Sequence, residues 1–412
     1  MSNFRAPAAA GRQKPALNEV EGSEFRTKSS IFNPQSFISK SPTFAEIDLN
    51  SFSHNLKLIR LKVGRDKKII SIIKADAYGH GAVEIAKRAS VSGADMLGVS
   101  TVGEGIELRE AGIESPILVL GGCPKEDAEW IVSYNLKSII YSYEAALSLS
   151  RKAEKMGKVV DVHIKVDTGM GRIGIQSDEV REFVEKVSPL KNIHIEGILT
   201  HFATAYEVNR EFTERQIKTF KGVIEELRQD GYSFPYIHAS NSAAILNYPE
   251  SYFNTVRPGI ILYGSTPFDF PLPPSEKGVF KPVMSWKTSV VHLHNTPEKT
   301  GISYGRKFVT KRDSIIATIP VGYADGYSRS LSNKVQVLIG GRRVNQVGTI
   351  CMDMCMIDVT DLPDVKVGEE VVLLGRQGDE EIRVEEIASL AGTIPYEIFC
   401  SIGRRVRRIY KF

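Results

Sequence analysis

The residues best able to do chemistry in this 412-residue chain stand between Lys67 and Gly81, in the run KKIISIIKADAYGHG. Ile69 to Ile73 is apolar and β-branched, the pattern of a strand covered on both faces in a parallel sheet, and it leaves Lys74 at the strand's end. α/β folds carry their chemistry at that C-terminal edge. A lysine held in a dry pocket there loses its proton more easily and becomes a nucleophilic amine. Tyr78 follows four residues on, and Gly79 and Gly81 let the backbone come close to a ligand. Standing alone, Lys74 would read as a solvated surface residue. Polar groups at several other predicted strand ends argue otherwise.

Lys74-Ala75-Asp76-Ala77-Tyr78-Gly79-His80-Gly81 resembles the pyridoxal phosphate lysine motif of the alanine racemases, a family whose barrel also serves some amino-acid decarboxylases. Further stretches resemble that family in the same order: Asp167–Gly174, Thr200–Ala203, His238–Ala243 with Val256–Ile260, Pro320–Tyr327 and Gly348–Met354. By this resemblance Lys74 carries pyridoxal 5′-phosphate covalently and is one catalytic base. Arg172 bonds the cofactor's phenolic oxygen and contacts substrate. Lys165 is the lysine that some members hold as a carbamate, the alternative being a plain salt-bridging lysine. His201 packs against the ring and bonds Arg257, which faces the pyridine nitrogen. Tyr78, Ser242 and the backbone N–H groups of Gly259 and Ile260 hold the phosphate, after strands 7 and 8 where barrels habitually bind one. Tyr323 is the second base, the Met352 backbone meets the substrate carboxylate, and Asp353 lines the entrance. In the family the Tyr323 and Met352 segments come from the partner subunit, so the resemblance implies a homodimer with shared sites. The implied activity is cytoplasmic interconversion of L- and D-alanine, supplying D-alanine for peptidoglycan.

Two of these roles can be argued from chemistry as well. Arginine has only donors and stays protonated, so a ring nitrogen facing Arg257 must accept and remain unprotonated; that weakens the ring as an electron sink and favours prompt reprotonation at Cα. Inverting Cα needs proton removal on one face and delivery on the other, which requires two bases. A tyrosine with its ordinary pKa of about 10 needs cations nearby to serve at neutral pH, and Arg257 and His201 are the candidates. One departure is visible: in Cys400-Ser401-Ile402-Gly403-Arg404-Arg405-Val406, Arg404 stands where many relatives carry tyrosine. It keeps open a broader racemase acting on serine or longer side chains. A decarboxylase and a non-catalytic cofactor carrier are further alternatives, the first disfavoured by the Tyr323 motif and the second by the long C-terminal part.

The elements that must position these residues can be read from periodicity. From Ile69 onward eight β-type runs alternate with helical stretches: Ile69–Ile73, Met96–Ser100, Pro116–Leu120, Lys137–Ser142, Val160–Val166, His194–His201, Tyr236–Ser240 and Val256–Tyr263. Eight βα units over roughly 220 residues predict a (β/α)8 barrel, ahead of a doubly wound sheet, for which no G-x-G-x-x-G follows the first strand. Pro271, Pro273 and Pro274 mark a linker, and beyond it short β-type runs and turn residues predict a mostly-β C-terminal domain. The expected organisation is a disordered extension over 1–42, the barrel over 43–275 and the β-rich domain over 276–412. A net charge of +4 carries no nucleic-acid signal, and no apolar run reaches the roughly 20 residues a membrane span needs. Four cysteines suit a reducing compartment. Cys351 and Cys355 lack companion histidines, so no metal site is expected.

Overall fold

The computed structural model describes residues 41–266 and 280–412. Eight strands, Lys68–Ile72, Met96–Val99, Ile117–Val119, Lys137–Ile140, Val160–Asp167, Ile193–Leu199, Tyr236–His238 and Thr255–Val256, pair parallel in chain order. Thr255 lies opposite Lys68, so the last strand pairs with the first and the barrel closes. Ile70, Leu97, Leu118, Ile139, Ile164 and Ile198 are all but fully buried, as strands covered on both faces require. Truncating one such side chain to alanine costs about 2–5 kcal/mol. Helices return the chain between strands, some of them starting on side-chain caps, as where Ser142 accepts from the Ala145 N–H before Tyr143–Lys155.

The second, mostly-β part is a sheet in the order His292–Thr296, Ser314–Ile319, Cys355–Asp358, Arg342–Val347, Gln336–Ile339, Glu370–Gln377, Met284–Ser289, Phe44–Asp48, Arg407–Lys411. Gly340 and Gly341 make a two-residue hairpin turn with φ of 56° and 72°, the two positive values such a turn needs.

Several sequence expectations are corrected. Phe44–Asp48, read with the barrel, pairs instead antiparallel with Met284–Ser289 and parallel with Arg407–Lys411. A closed barrel has no edge to offer, whereas the sheet does. The following helix, Leu49–Val63, is capped by Asp48, its carboxylate accepting from the N–H groups of Asn50 and Ser51 at 2.8 and 3.0 Å. The eighth barrel strand stops at Val256, because Pro258 cannot donate to a ladder and Ile260–Tyr263 turns into a 3₁₀-helix. Residues 1–40 of the expected extension, and the linker prolines, lie outside the described residues.

Candidate active site

Lys74 lies just past the first barrel strand, at the start of an unusual turn. Ala75, Asp76, Ala77 and Tyr78 all adopt left-handed backbone, with φ between 50° and 54°. For residues with a Cβ this costs roughly 1–2 kcal/mol each, and it persists only where surroundings impose it. Here they do. The Glu104 carboxylate accepts from the Ala75 N–H at 2.7 Å, Asp76 accepts from the Ala82 N–H at 2.7 Å, and Arg408 of the closing strand donates to the Gly79 carbonyl at 2.9 Å. A Cβ on Gly79 would stand 2.3 Å from the Phe399 carbonyl oxygen. The turn therefore aims Lys74 and buries Tyr78 in one stroke. Burial lowers the Lys74 pKa, Arg172 and Arg257 push it the same way, and Glu104 and Cys400 oppose them.

Behind Lys74, the Tyr78 ring is wedged edge-on between Tyr263 and Tyr396, with centroids 5.1 and 5.7 Å away. Burial raises its pKa well above the usual range, so its hydroxyl stays a donor. That hydroxyl faces Gly259, where a Cβ would come within 2.9 Å of it. The Gly259 N–H donates to Ser242 Oγ at 2.9 Å, and Ile260 opens the 3₁₀-helix beside them. The result is a small cradle of hydroxyls and N–H groups.

Arg257, 4% exposed, is bolted to the barrel rim. Nη2 donates to the carbonyls of Thr200 and Ala239 at 2.8 and 2.9 Å and to His201 Nδ1 at 3.3 Å, and Nη1 donates to His238 Nδ1 at 2.9 Å. Among the described residues nothing accepts from Nε. Burial lowers its pKa to about 9, still charged at neutral pH. Lys165 is buried nearby, donating to its neighbour's carbonyl, Val166 O, at 3.0 Å; desolvation, with Arg257 and Arg172, takes it down to about 7. Asp167 accepts from the N–H groups of Gly169, Met170 and Gly171 at 2.9, 2.8 and 3.2 Å, shaping the loop that presents Arg172 to the surface. Burial and these cations keep His201 neutral.

Tyr323, Met352 and Asp353 form a second group on the β domain. The N–H groups of Tyr323 and Ala324 donate to the carbonyls of Cys351 and Met352 at 3.1 and 3.0 Å, and Gly322 sits so close that a Cβ would clash with both. Arg405 bonds Asp353 at 2.9 Å. Tyr323 and Met352 are 44% and 52% exposed. Among the described residues, no hydrogen bond, ion pair or charge interaction links Tyr323 to Lys74 within one chain.

The family model for the alanine racemase N-terminal domain matches residues 47–267 and that for the C-terminal domain residues 283–410. The alanine racemase of Halothermothrix orenii is 48% identical over 374 residues, covering 90% of this chain and 97% of its own. The chain belongs to the alanine racemase family. The solved alanine racemase of Clostridium difficile 630 superposes with a TM-score of 0.85 at 42% identity, covering 90% of this chain and 96% of that one. The alanine racemase of Bacillus anthracis with bound L-Ala-P gives 0.83 at 36%, covering 90% and 95%.

The racemase fold thus brings Lys74, Tyr78, Lys165, Arg172, His201, Ser242, Arg257, Gly259 and Ile260 to one barrel end, and sets Tyr323, Met352 and Asp353 apart. Sequence reasoning missed Glu104, Tyr396 and Arg408. Glu104 had a signal, the capping box Thr101-x-x-Glu104, whose acid also reaches Ala75. The other two arrive from the far end of the chain and had none.

Proposed function

We propose that the chain interconverts L- and D-alanine with pyridoxal phosphate held at the C-terminal end of the barrel. The observation that carries this is the convergence at one barrel end of a Lys74 whose surroundings strip its proton, a cradle of hydroxyl and N–H groups, and a buried all-donor arginine. The residues fit the cofactor. A lysine with a lowered pKa suits an aldehyde carbon; the Tyr78 hydroxyl with the Ser242, Gly259 and Ile260 turn suits a phosphate; and Arg257 Nε suits a ring nitrogen that must accept. When bound, pyridoxal phosphate supplies an electron-withdrawing system conjugated with the substrate Cα, which makes the Cα proton removable.

Lys74 takes or returns that proton on one face. Arg257 stays charged and only donates, so it limits delocalisation into the ring and favours reprotonation at Cα over side reactions. His201 packs beside the ring and helps fix Arg257. Arg172 reaches the phenolic oxygen and substrate. Lys165, deprotonated readily, can add carbon dioxide to become a carbamate with release of one proton, and the new negative charge would pair with Arg172. The opposite face of Cα needs a second base, and Tyr323 supplies it from a second copy of the chain, along with the Met352 backbone for the substrate carboxylate and Asp353 at the entrance. A cytoplasmic setting accords with four free cysteines.

The test is direct. Purified protein with pyridoxal phosphate, given L-alanine, is expected to form D-alanine to an equal mixture; a side-chain panel separates a strict alanine enzyme from the broader racemase that Arg404 keeps open. Carbon dioxide release without D-alanine would overturn the assignment.

A further inference from the structure

Beneath Arg257 the barrel interior holds a polar chain that the reaction as described does not use. His238 Nε2 and His163 Nδ1 are 2.8 Å apart, His163 Nε2 and Glu196 Oε2 3.1 Å, and both Glu196 oxygens lie 2.7 Å from Lys137 Nζ. Lys137 also bonds Asp161 at 2.6 Å, and these last two line a cavity of about 220 Å³ at the N-terminal end of the strands. Exposure rises along the way, from 0% at His238 and His163 to 13% at Glu196, 15% at Lys137 and 34% at Asp161. A dry histidine pair is costly to bury and needs every ring nitrogen satisfied.

The backbone makes room for it. The pairing of the fifth and sixth strands shifts register between Val162 and His163, and a Cβ on Gly197 would stand 2.6 Å from His163 Nδ1. Donor and acceptor roles then follow from one end. Arg257 can only donate, so His238 Nδ1 accepts. Neutral His238 must carry its proton on Nε2 and donate to His163 Nδ1, and His163 in turn donates from Nε2 to the Glu196 carboxylate.

We propose that His163 and Glu196 are positioning residues for the reaction, locking His238 in the tautomer that accepts from Arg257 and so holding Arg257 as a fixed donor toward the pyridine nitrogen. The inference rests on the assignment of Arg257 to that nitrogen. The groups facing His163 are His238, Glu196, Lys137, Asp161 and the Tyr236 ring, 5.4 Å away, and those facing His238 are Arg257, Lys165 and His163. Burial holds both rings below the ordinary histidine range, so each passes polarity along as a neutral tautomer. Without an acceptor at His163, His238 is free to move its proton to Nδ1, where it would oppose the Arg257 N–H.

Two variants separate position from packing. His163→Leu removes the acceptor, whereas His163→Asn puts an amide oxygen near the place of Nδ1. His163→Leu should lower kcat for alanine by about tenfold or more with KM little changed, and His163→Asn should recover most of the loss. Imidazole ¹⁵N NMR of holoenzyme and of cofactor-free wild type should show His163 and His238 both protonated on Nε2 alone. A wild-type His238 protonated on Nδ1, or charged at neutral pH, overturns the inference even if His163→Leu fails to fold. So does an Asn variant no faster than the Leu variant. Failure of the underlying reading looks different: Arg257→Glu would then leave the visible spectrum of the bound cofactor unchanged while the tautomers stand.

Discussion

The barrel end and the β-domain face hold their functional groups in opposite ways. Arg257 makes four hydrogen bonds inside the chain and Tyr78 is fully enclosed between aromatic rings, so that half is fixed before any ligand arrives. Tyr323 and Met352 have their backbones pinned, through Gly322 and Cys351, but present their side chains to solvent. Depth helps strip the proton from Lys74, and Arg257, though burial lowers its pKa to about 9, stays charged at neutral pH. Exposure serves a part that is to be covered by something else. Inversion needs a base on each face of Cα, and in the proposed scheme Lys74 is the base that the barrel end supplies among the described residues, so the difference between the regions argues for a second copy as the cover.

Removing the buried member should do most damage. Lys74→Ala loses an anchor and a base together, so racemisation should drop by more than the roughly 10,000-fold that marks the upper end for one general base, and the visible absorbance of lysine-bound cofactor should vanish with it. An active variant with an unchanged spectrum would erase the distinction between the regions. Tyr323→Phe should keep the cofactor spectrum and lower racemisation by about 100- to 10,000-fold. Its residual Cα hydrogen exchange in heavy water should be much faster for one enantiomer, the one facing Lys74. Equal exchange of both would reject the two-base scheme.

The smallest effect concerns the barrel half's own cost. Lys165 binds its proton more weakly folded, at about 7, than unfolded, at 10.5. Between those values the unfolded chain holds the extra proton, so stability falls as pH drops through that window and the loss is complete below pH 7. Lys165→Met should remove this dependence and stabilise the cofactor-free protein near pH 6 by at most about 5 kcal/mol. Urea melts at pH 6 and pH 9 in buffer free of carbon dioxide would show it; a wild-type stability flat across that range would contradict a buried, uncharged Lys165.

How far the sequence carried these conclusions differs between the same two regions. Barrel strands announce themselves because strands covered on both faces are continuous apolar runs, and Lys74, Arg172, His201 and Arg257 stand next to them in sequence. What stayed hidden is what arrives by tertiary folding. The left-handed turn after Lys74 has no glycine before Gly79 to mark it, and Arg408 reaches it from 329 residues away. The pairing of Phe44–Asp48 depends on which edges are left open once the barrel closes. His163 and Glu196 look like alternating positions on ordinary strands until Gly197 and the shifted register bring them into line.

The claim that one catalytic site is built from two chains is tested most directly by mixing. Lys74→Ala and Tyr323→Phe proteins, each nearly inactive alone, should form hybrid dimers after subunit exchange in which one site pairs an intact Lys74 with an intact Tyr323. Random pairing of equal amounts then restores roughly a quarter of wild-type racemisation. Verified hybrids with no activity above the parents would contradict the shared site.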